Sequence, residues 1–147
     1  MNTQPPILHR AATSQDVPLI YSDWLRSYRR SPLTKHVPSA VYYSQHRALI
    51  DNLASRSRVV VLCNPDDTNQ VYGWMCFELT PDVLILHYLY VKEDFRGFGL
   101  AKALVQQYLP KAVEDSIIIC SHTGPCFQAL KDKYHLIYNP YLLARKA

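Results

Sequence analysis

The chain has 147 residues, of which 48% are hydrophobic and 19% charged, with a formal net charge of +4. That length fits one domain, close to the commonest size of roughly 100–150 residues. No apolar stretch approaches the ~20 residues that cross a bilayer, and MNTQPPILHR at the start has no apolar signal core, so a soluble, cytoplasmic protein is expected.

Residues 1–6, with Gln4-Pro5-Pro6, read as a frayed tail, and 7–147 as a single domain. Ile7 to Ala12 predicts a first strand. Ser14 is the expected N-cap of a helix in which Leu19, Ile20 and Trp24 recur at helical spacing, and Asp16 suits its first turn. Ser31-Pro32 and Val37-Pro38 break the chain. Ser39 is then the expected cap of a second helix with Val41, Gln45, Ala48, Leu49 and Leu53 along one side.

Val59 to Cys63 is a β-branched strand, Asn64-Pro65-Asp66-Asp67 a turn, and Val71 to Leu79 its hairpin partner. Val83 to Val91 follows. Leu100, Ala101, Leu104, Val105 and Tyr108 mark a helix buried on one face, with Pro110 near its end. Ser116 to Cys120 reads as a strand buried on both faces, Pro125 to Tyr134 as a short helix, and Leu136 to Leu143 as a final strand. The four cysteines have no zinc-site spacing. Cys63, Cys76 and Cys120 lie in apolar runs, where reduced, buried thiols are expected.

The junction after VLILHYLY carries the chemistry. Arg96-Gly97-Phe98-Gly99-Leu100-Ala101 stands between a buried strand and an amphipathic helix. Such a turn gathers free backbone N–H groups at a helix N-terminus, a natural anion site suited to phosphate. Gly97 and Gly99 remove Cβ atoms that would block close approach, and Arg96 adds a fixed positive charge. A dinucleotide fingerprint needs G-x-G-x-x-G and a P-loop needs G-x-x-x-x-G-K-[ST]; neither is present.

What remains, Arg96, Gly99 and Ala101 as R-x-x-G-x-A after a strand ending in Val91, resembles the acyl-CoA pyrophosphate loop of the GNAT superfamily of N-acetyltransferases. The element order β-α-α-β-β-β-α-β-α-β is also that of the family, so the resemblance covers nearly the whole chain. It implies an α/β (α+β) fold with a mixed central sheet, whose fourth and fifth strands splay apart for the pantetheine arm of acetyl-CoA. It further implies transfer of an acetyl group from acetyl-CoA to an amine. Backbone groups of Leu89 and Val91 would meet the pantetheine arm and thioester. Arg96, Gly97, Phe98, Gly99, Leu100 and Ala101 would cradle the pyrophosphate.

The general base and acid are less fixed by the resemblance. Many members carry a Glu nine residues before the motif Arg; here that position is His87, which with an ordinary pKa of ~6.5 can take a proton directly or through water. The family's N-x-x-A-x-x-x-Y falls on Thr123, Cys126 and Leu130. Leu130 has no proton to donate. Tyr134 lies four residues on and shares its face, so it is the candidate acid, with Cys126 and His122 as alternatives; a chain without a dedicated acid is also compatible.

Between Trp24 and Val60 seven Lys/Arg face one acid, Asp51. With Tyr28, Tyr42, Tyr43, His36 and His46 they suggest an acceptor that is anionic overall: an acidic small molecule, an acidic protein surface or a nucleic acid, on whose bases tyrosines stack. The competing reading is a non-catalytic binding module on the same scaffold. The apolar stretch Tyr138 to Leu143 is a candidate homodimer contact.

Overall fold

The computed structural model describes residues 3–112, 115–124 and 126–144. Pro125, where the sequence placed the start of the short helix, lies outside them. The elements are β1 (Leu8–Ala11), α1 (Val17–Tyr28), α2 (Ser39–Arg56), β2 (Arg58–Asn64), β3 (Asp67–Leu79), β4 (Val83–Val91), α3 (Leu100–Tyr108), β5 (Ile117–Cys120), α4 (Phe127–Lys131) and β6 (His135–Tyr138). That is the order read from the sequence.

The six strands form one sheet in chain order. β1 to β4 pair antiparallel, β1 reaching β2 by way of α1 and α2 and the later pairs joined by short turns, and β4, β5 and β6 run parallel, joined by α3 and α4. Alternation along β2 divides the core: Val60 and Leu62 pack beneath α3, whereas Val61 and Cys63 pack beneath α1 and α2. The second face is rich in aromatic rings. Trp24 stacks on Tyr88 with centroids 5.0 Å apart, and Trp74 lies 5.6 Å from Trp24.

β4 changes register at one residue. Cys76 pairs with Tyr88 and Phe77 with Leu86, so His87 is the extra residue of a β-bulge. The bulge resets the alternation: Leu84 and Leu86 before it, and Leu89 and Val91 after it, all face α3. Two segments with opposite parity thus share one strand.

Several local expectations need correction. Asp16, not Ser14, occupies the N-cap position of α1, with Pro at the first helical positions. Its carboxylate is held by Arg10 at 2.7 and 3.0 Å and by the Thr13 N–H. Ser39 is the first residue of α2 and Pro38 precedes it. The face of α2 that meets the sheet carries Tyr42, Ile50 and Leu53, while Val41 is exposed. The final strand stops at Tyr138, because Pro140 has no N–H for the ladder and the chain turns into a 3-10 helix, Pro140–Ala144. The short helix is confined to Phe127–Lys131. All four cysteines are buried and unbridged.

Candidate functional site

β4 and β5 pair only from Val83↔Ile117 to Leu86↔Cys120, closed by a Ser121 N–H bond to the Leu86 carbonyl at 3.1 Å. From the His87 bulge onward the two chains separate. The cleft between them is lined by His87, Tyr88, Leu89, His122, Gly124 and Cys126, and encloses about 10 Å³. Tyr88 and Gly124 nearly touch across it: a Cβ on Gly124 would lie 2.8 Å from the Tyr88 ring.

Just beyond the cleft the chain leaves β4, makes a 3-10 turn at Glu93–Phe95 and enters α3. Gly97 and Gly99 both have left-handed backbones, with φ of 87° and 77°. Gly99 sits at the N-cap of α3, no side chain caps that end, and a Cβ there would meet nothing within 4 Å. The Arg96 Nε donates to the Val91 carbonyl at 2.8 Å, and its guanidinium lies 5.3 Å from the Tyr90 ring centroid. A cavity of about 360 Å³ opens against Val91, Arg96, Gly97, Gly99, Leu100 and Ala101. The structure therefore gathers the sequence-predicted loop residues round one hollow. The Phe98 side chain instead packs on the core beneath α3.

A second cavity, about 630 Å³, lies on the α1 side and shares Arg96 with the first. Its walls include Asp23, Arg26, Ser27 and Arg30 of α1, with Thr123, Gly124 and Gln128 opposite. Asp23 is buried and accepts the Trp74 Nε1–H at 3.1 Å. Burial raises its pKa, more than the Trp74 bond and the Lys92 and Arg26 charges lower it. Sequence reasoning missed Asp23. The available signal was an acid inside the apolar stripe Ile20, Asp23, Trp24, which one face of α1 buries. The basic surplus is spent unevenly. Arg29 bonds the Thr34 carbonyl and lies over Tyr42, Arg47 lies over Tyr21, and Arg58 over Phe77 and Tyr108. Arg26 and Arg30 are the members of that group at the cavity.

His87 is fully buried, with Nε2 2.6 Å from Glu78 Oε2 and Nδ1 2.7 Å from Ser121 Oγ. Ser121 Oγ is also 3.0 Å from His122 Nδ1, and His122 Nε2 is 3.2 Å from His46 Nε2. Burial pushes His46 down to about 4 and His122 well below the usual imidazole value, helped there by His46 and His87. Tyr134 shares a face with Leu130, as its spacing predicts, through a Tyr134 N–H bond to the Leu130 carbonyl at 2.9 Å. That face is turned into the core beneath α3, and Tyr134 lines neither cavity. The Cys126 thiol lies against the Val91 N–H at the junction of cleft and loop, and burial pushes it up to about 11. No group of three or more His, Cys, Asp or Glu suited to a metal occurs among the described residues, and no described helix is long and apolar enough to cross a membrane.

Residues 18–130 match the family model described as Acetyltransferase (GNAT) family. Similar solved structures include a possible acetyltransferase from Clostridium difficile 630, 15% identical over 91% of this chain and 94% of that one, with a TM-score of 0.57. A ribosomal-protein-alanine N-acetyltransferase from Brucella melitensis biovar Abortus 2308 is 16% identical over 88% and 90%, with a TM-score of 0.54. A histone acetyltransferase HPA2 and related acetyltransferase from Corynebacterium glutamicum is 17% identical over 71% and 70%, with a TM-score of 0.52. At such identities the likeness is one of fold. No curated protein matches the sequence.

Proposed function

The chain belongs to the GNAT acetyltransferase family, and on that premise we propose that it moves an acetyl group from acetyl-CoA to the amine of a small acceptor that also carries negative charge. The observation that carries this reading is the placement of two cavities on either side of Arg96, which lines both, one at the glycine loop and one at Asp23.

The residues present fit the cofactor. The left-handed Gly97 and Gly99, the open space at the Gly99 Cα and the uncapped start of α3 make a cradle for a pyrophosphate, to which Arg96 adds charge. Leu89 lines the cleft and Val91 the loop cavity, and Gly97, Phe98, Leu100 and Ala101 complete the loop. The cleft is narrow, so side chains such as Cys126 at its edge would have to yield to admit a pantetheine arm. When bound, acetyl-CoA supplies an activated thioester.

The chain's own residues do the rest. Holding both partners in one site removes an entropic barrier of several kcal/mol. Asp23 faces the acceptor cavity as the group to meet an ammonium, and Arg26 and Arg30 as the groups to meet its anion. His87 does not touch that cavity, and neither do its hydrogen-bonded neighbours Glu78 and Ser121; it lines the cleft between β4 and β5 instead. Tyr134, the sequence candidate for the acid, is left with a packing role. A non-catalytic binding module is the second reading, favoured by the absence of a tyrosine hydroxyl where Leu130 is buried.

Calorimetric titration of CoA and acetyl-CoA into wild type and Arg96→Ala tests the site. Thiol release with a panel of acidic and neutral amines tests the activity. Micromolar binding that weakens in the variant, with release favouring acidic amines, supports the proposal. Binding without release by any amine supports the module, and no binding to wild type sinks both.

A further inference from the structure

Asp23 is a buried carboxylate with one oxygen committed and one free. The Trp74 Nε1–H donates to Oδ2 at 3.1 Å. Oδ1 has no hydrogen-bond partner among the described residues, although Asp23 is only 7% exposed and lines the larger cavity. Burying a carboxylate with one oxygen unsatisfied is costly, and the cavity is the side from which a donor can reach it. Among the described residues Asp23 is also the one carboxylate on that wall; the other charged groups there are Arg26, Arg30 and Arg96.

Asp23 stands beside the cleft as well. One turn along α1, Ser27 Oγ donates to the Asp23 carbonyl at 2.6 Å and lies 2.6 Å from the Tyr88 hydroxyl. Tyr88 lines the cleft, and the Trp74 ring that holds the Asp23 carboxylate lies 5.8 Å from the Tyr88 ring. Gly124 and Phe127 belong to the walls of both cavity and cleft. The space open to Asp23 and the cleft between β4 and β5 therefore share a wall. His87, the base read from the sequence, has both ring nitrogens taken up by Glu78 and Ser121.

We propose that Asp23 is the general base of the transfer, a reading that rests on the acetyltransferase function above. The acceptor enters as an ammonium ion. Asp23 Oδ1 takes one of its protons: an N–H bond breaks, its electron pair stays on nitrogen, and an O–H bond forms. The freed pair bonds the acyl carbon. As the C–S bond breaks, sulfur leaves with the electron pair and takes the second proton that nitrogen gives up. Asp23 then returns its own proton to water. One ammonium and one thioester become one amide, one thiol and one released proton. Burial suits the residue to this task. It raises the Asp23 pKa, more than the Trp74 bond and the Lys92 and Arg26 charges lower it, and so brings the carboxylate closer to the pH at which it works. The ionisable groups around it are Arg26 and Arg30 on its own helix, Tyr88 and Tyr90 on β4, Lys92 just beyond, and Arg96 of the loop.

The test uses the full chain and two probe amines of nearly the same shape: β-alanine, whose nitrogen is a cation near neutral pH, and aminooxyacetate, whose nitrogen is already neutral. Thiol release from acetyl-CoA is followed between about pH 7.5 and 9. In wild type, kcat/KM for β-alanine should be level across this range, because the abundant ammonium form is the one used. Asp23→Asn keeps an acceptor for Trp74 but takes no proton, so only the scarce neutral amine reacts. Its kcat/KM for β-alanine should be roughly 100-fold lower at about pH 7.5 and climb about tenfold per pH unit. Aminooxyacetate needs no base, and its kcat/KM should stay within about threefold of wild type. A wild type whose β-alanine rate climbs tenfold per pH unit overturns the proposal, and that result needs no variant. A variant that loses the same factor with both amines, or with neither, overturns it as well. Apart from turnover, calorimetry should show both proteins binding CoA equally, and carbon-13 spectra of the aspartate carboxyls should show Asp23 titrating above the ordinary aspartate value. Titration at or below that value overturns the proposal. A wild type that binds no CoA, or binds it and releases no thiol with either amine, overturns the underlying function instead.

Discussion

Tyr88 and Gly124 share one narrow gap at the mouth of the cleft: a Cβ added at Gly124 would stand 2.8 Å from Tyr88 Cε1 and 3.1 Å from Cζ. The ring has little room to yield. It is stacked on Trp24 with an interplanar angle of 5°, and its hydroxyl lies 2.6 Å from Ser27 Oγ. Gly124→Ala should therefore cost about 1–3 kcal/mol through overpacking and narrow a cleft that is already tight. CoA affinity measured by calorimetry should drop about tenfold, beyond what the lower melting temperature explains. Unchanged affinity would show that this gap is not the wall of the cofactor's path.

Arg96 is tied at Nε to the Val91 carbonyl while bordering both cavities. Charge-assisted bonds to a phosphate contribute about 1.5–3 kcal/mol, so Arg96→Ala should weaken CoA binding roughly 10- to 100-fold. Arg96→Lys keeps the charge but loses the fork and the Nε bond, and should fall between the two. Equal affinity in all three proteins would remove Arg96 from the cofactor site.

The loop at Arg96 to Ala101 was legible because its signals are local: two glycines after an apolar strand and before an amphipathic helix. The order of elements was legible for the same reason. The bulge at His87 was not, since in the uniformly apolar run VLILHYLYV no polar alternation reveals a change of parity. The sheet face of α2 was misread because Tyr42, Ile50 and Leu53 are widely spaced among polar residues. The contact of His46 with His122 spans 76 positions and is made only when α2 folds over the sheet. Asp23 was overlooked because an acid on a buried stripe has the same spacing as a core residue; only the cavity beside it gives it a role.

Asp23 holds the Trp74 indole N–H. Asp23→Asn retains an acceptor oxygen for that bond and removes the charge, so it should fold normally and lose affinity for the acceptor amine, seen as a raised KM. Asp23→Ala leaves the indole N–H buried without its partner and should cost about 1–3 kcal/mol in urea denaturation. An Asp23→Asn protein with unaltered KM for every amine turned over would assign Asp23 to structure alone.

Gly73 lies where β3 crosses close to β4. A Cβ there would stand 2.5 Å from the Tyr90 carbonyl oxygen and 3.2 Å from the Val91 Cα, both main-chain atoms of a paired strand. Neither can step aside as a flexible side chain would, so Gly73→Ala should destabilise the fold by about 1–3 kcal/mol. Because Val91 and Tyr90 lead into the Arg96 loop, CoA affinity should fall with it. A variant with the wild-type denaturation midpoint would mean that β3 and β4 can separate freely at this point.

Neutral, buried imidazoles give the fold an acid limit. His46 binds its proton at about 4 in the folded chain, against an ordinary value of 6.5, and His122 is shifted in the same direction, in both cases chiefly by burial. Between those values the unfolded chain binds protons that the folded chain refuses. The contribution of His46 is thus complete above about pH 6.5 and is lost as pH falls toward about 4. Asp16, lowered chiefly by its bond to Arg10, holds its contribution until the pH drops below the usual carboxylate range, beneath this window. Asp23, raised by burial, acts the other way, because acid relieves the cost of keeping it charged. His46→Gln separates these effects: the wild type should lose on the order of 2 kcal/mol more than the variant between about pH 7 and 4.5 in urea denaturation. Parallel pH dependences would mean that His46 takes up its proton in the folded state as readily as in water.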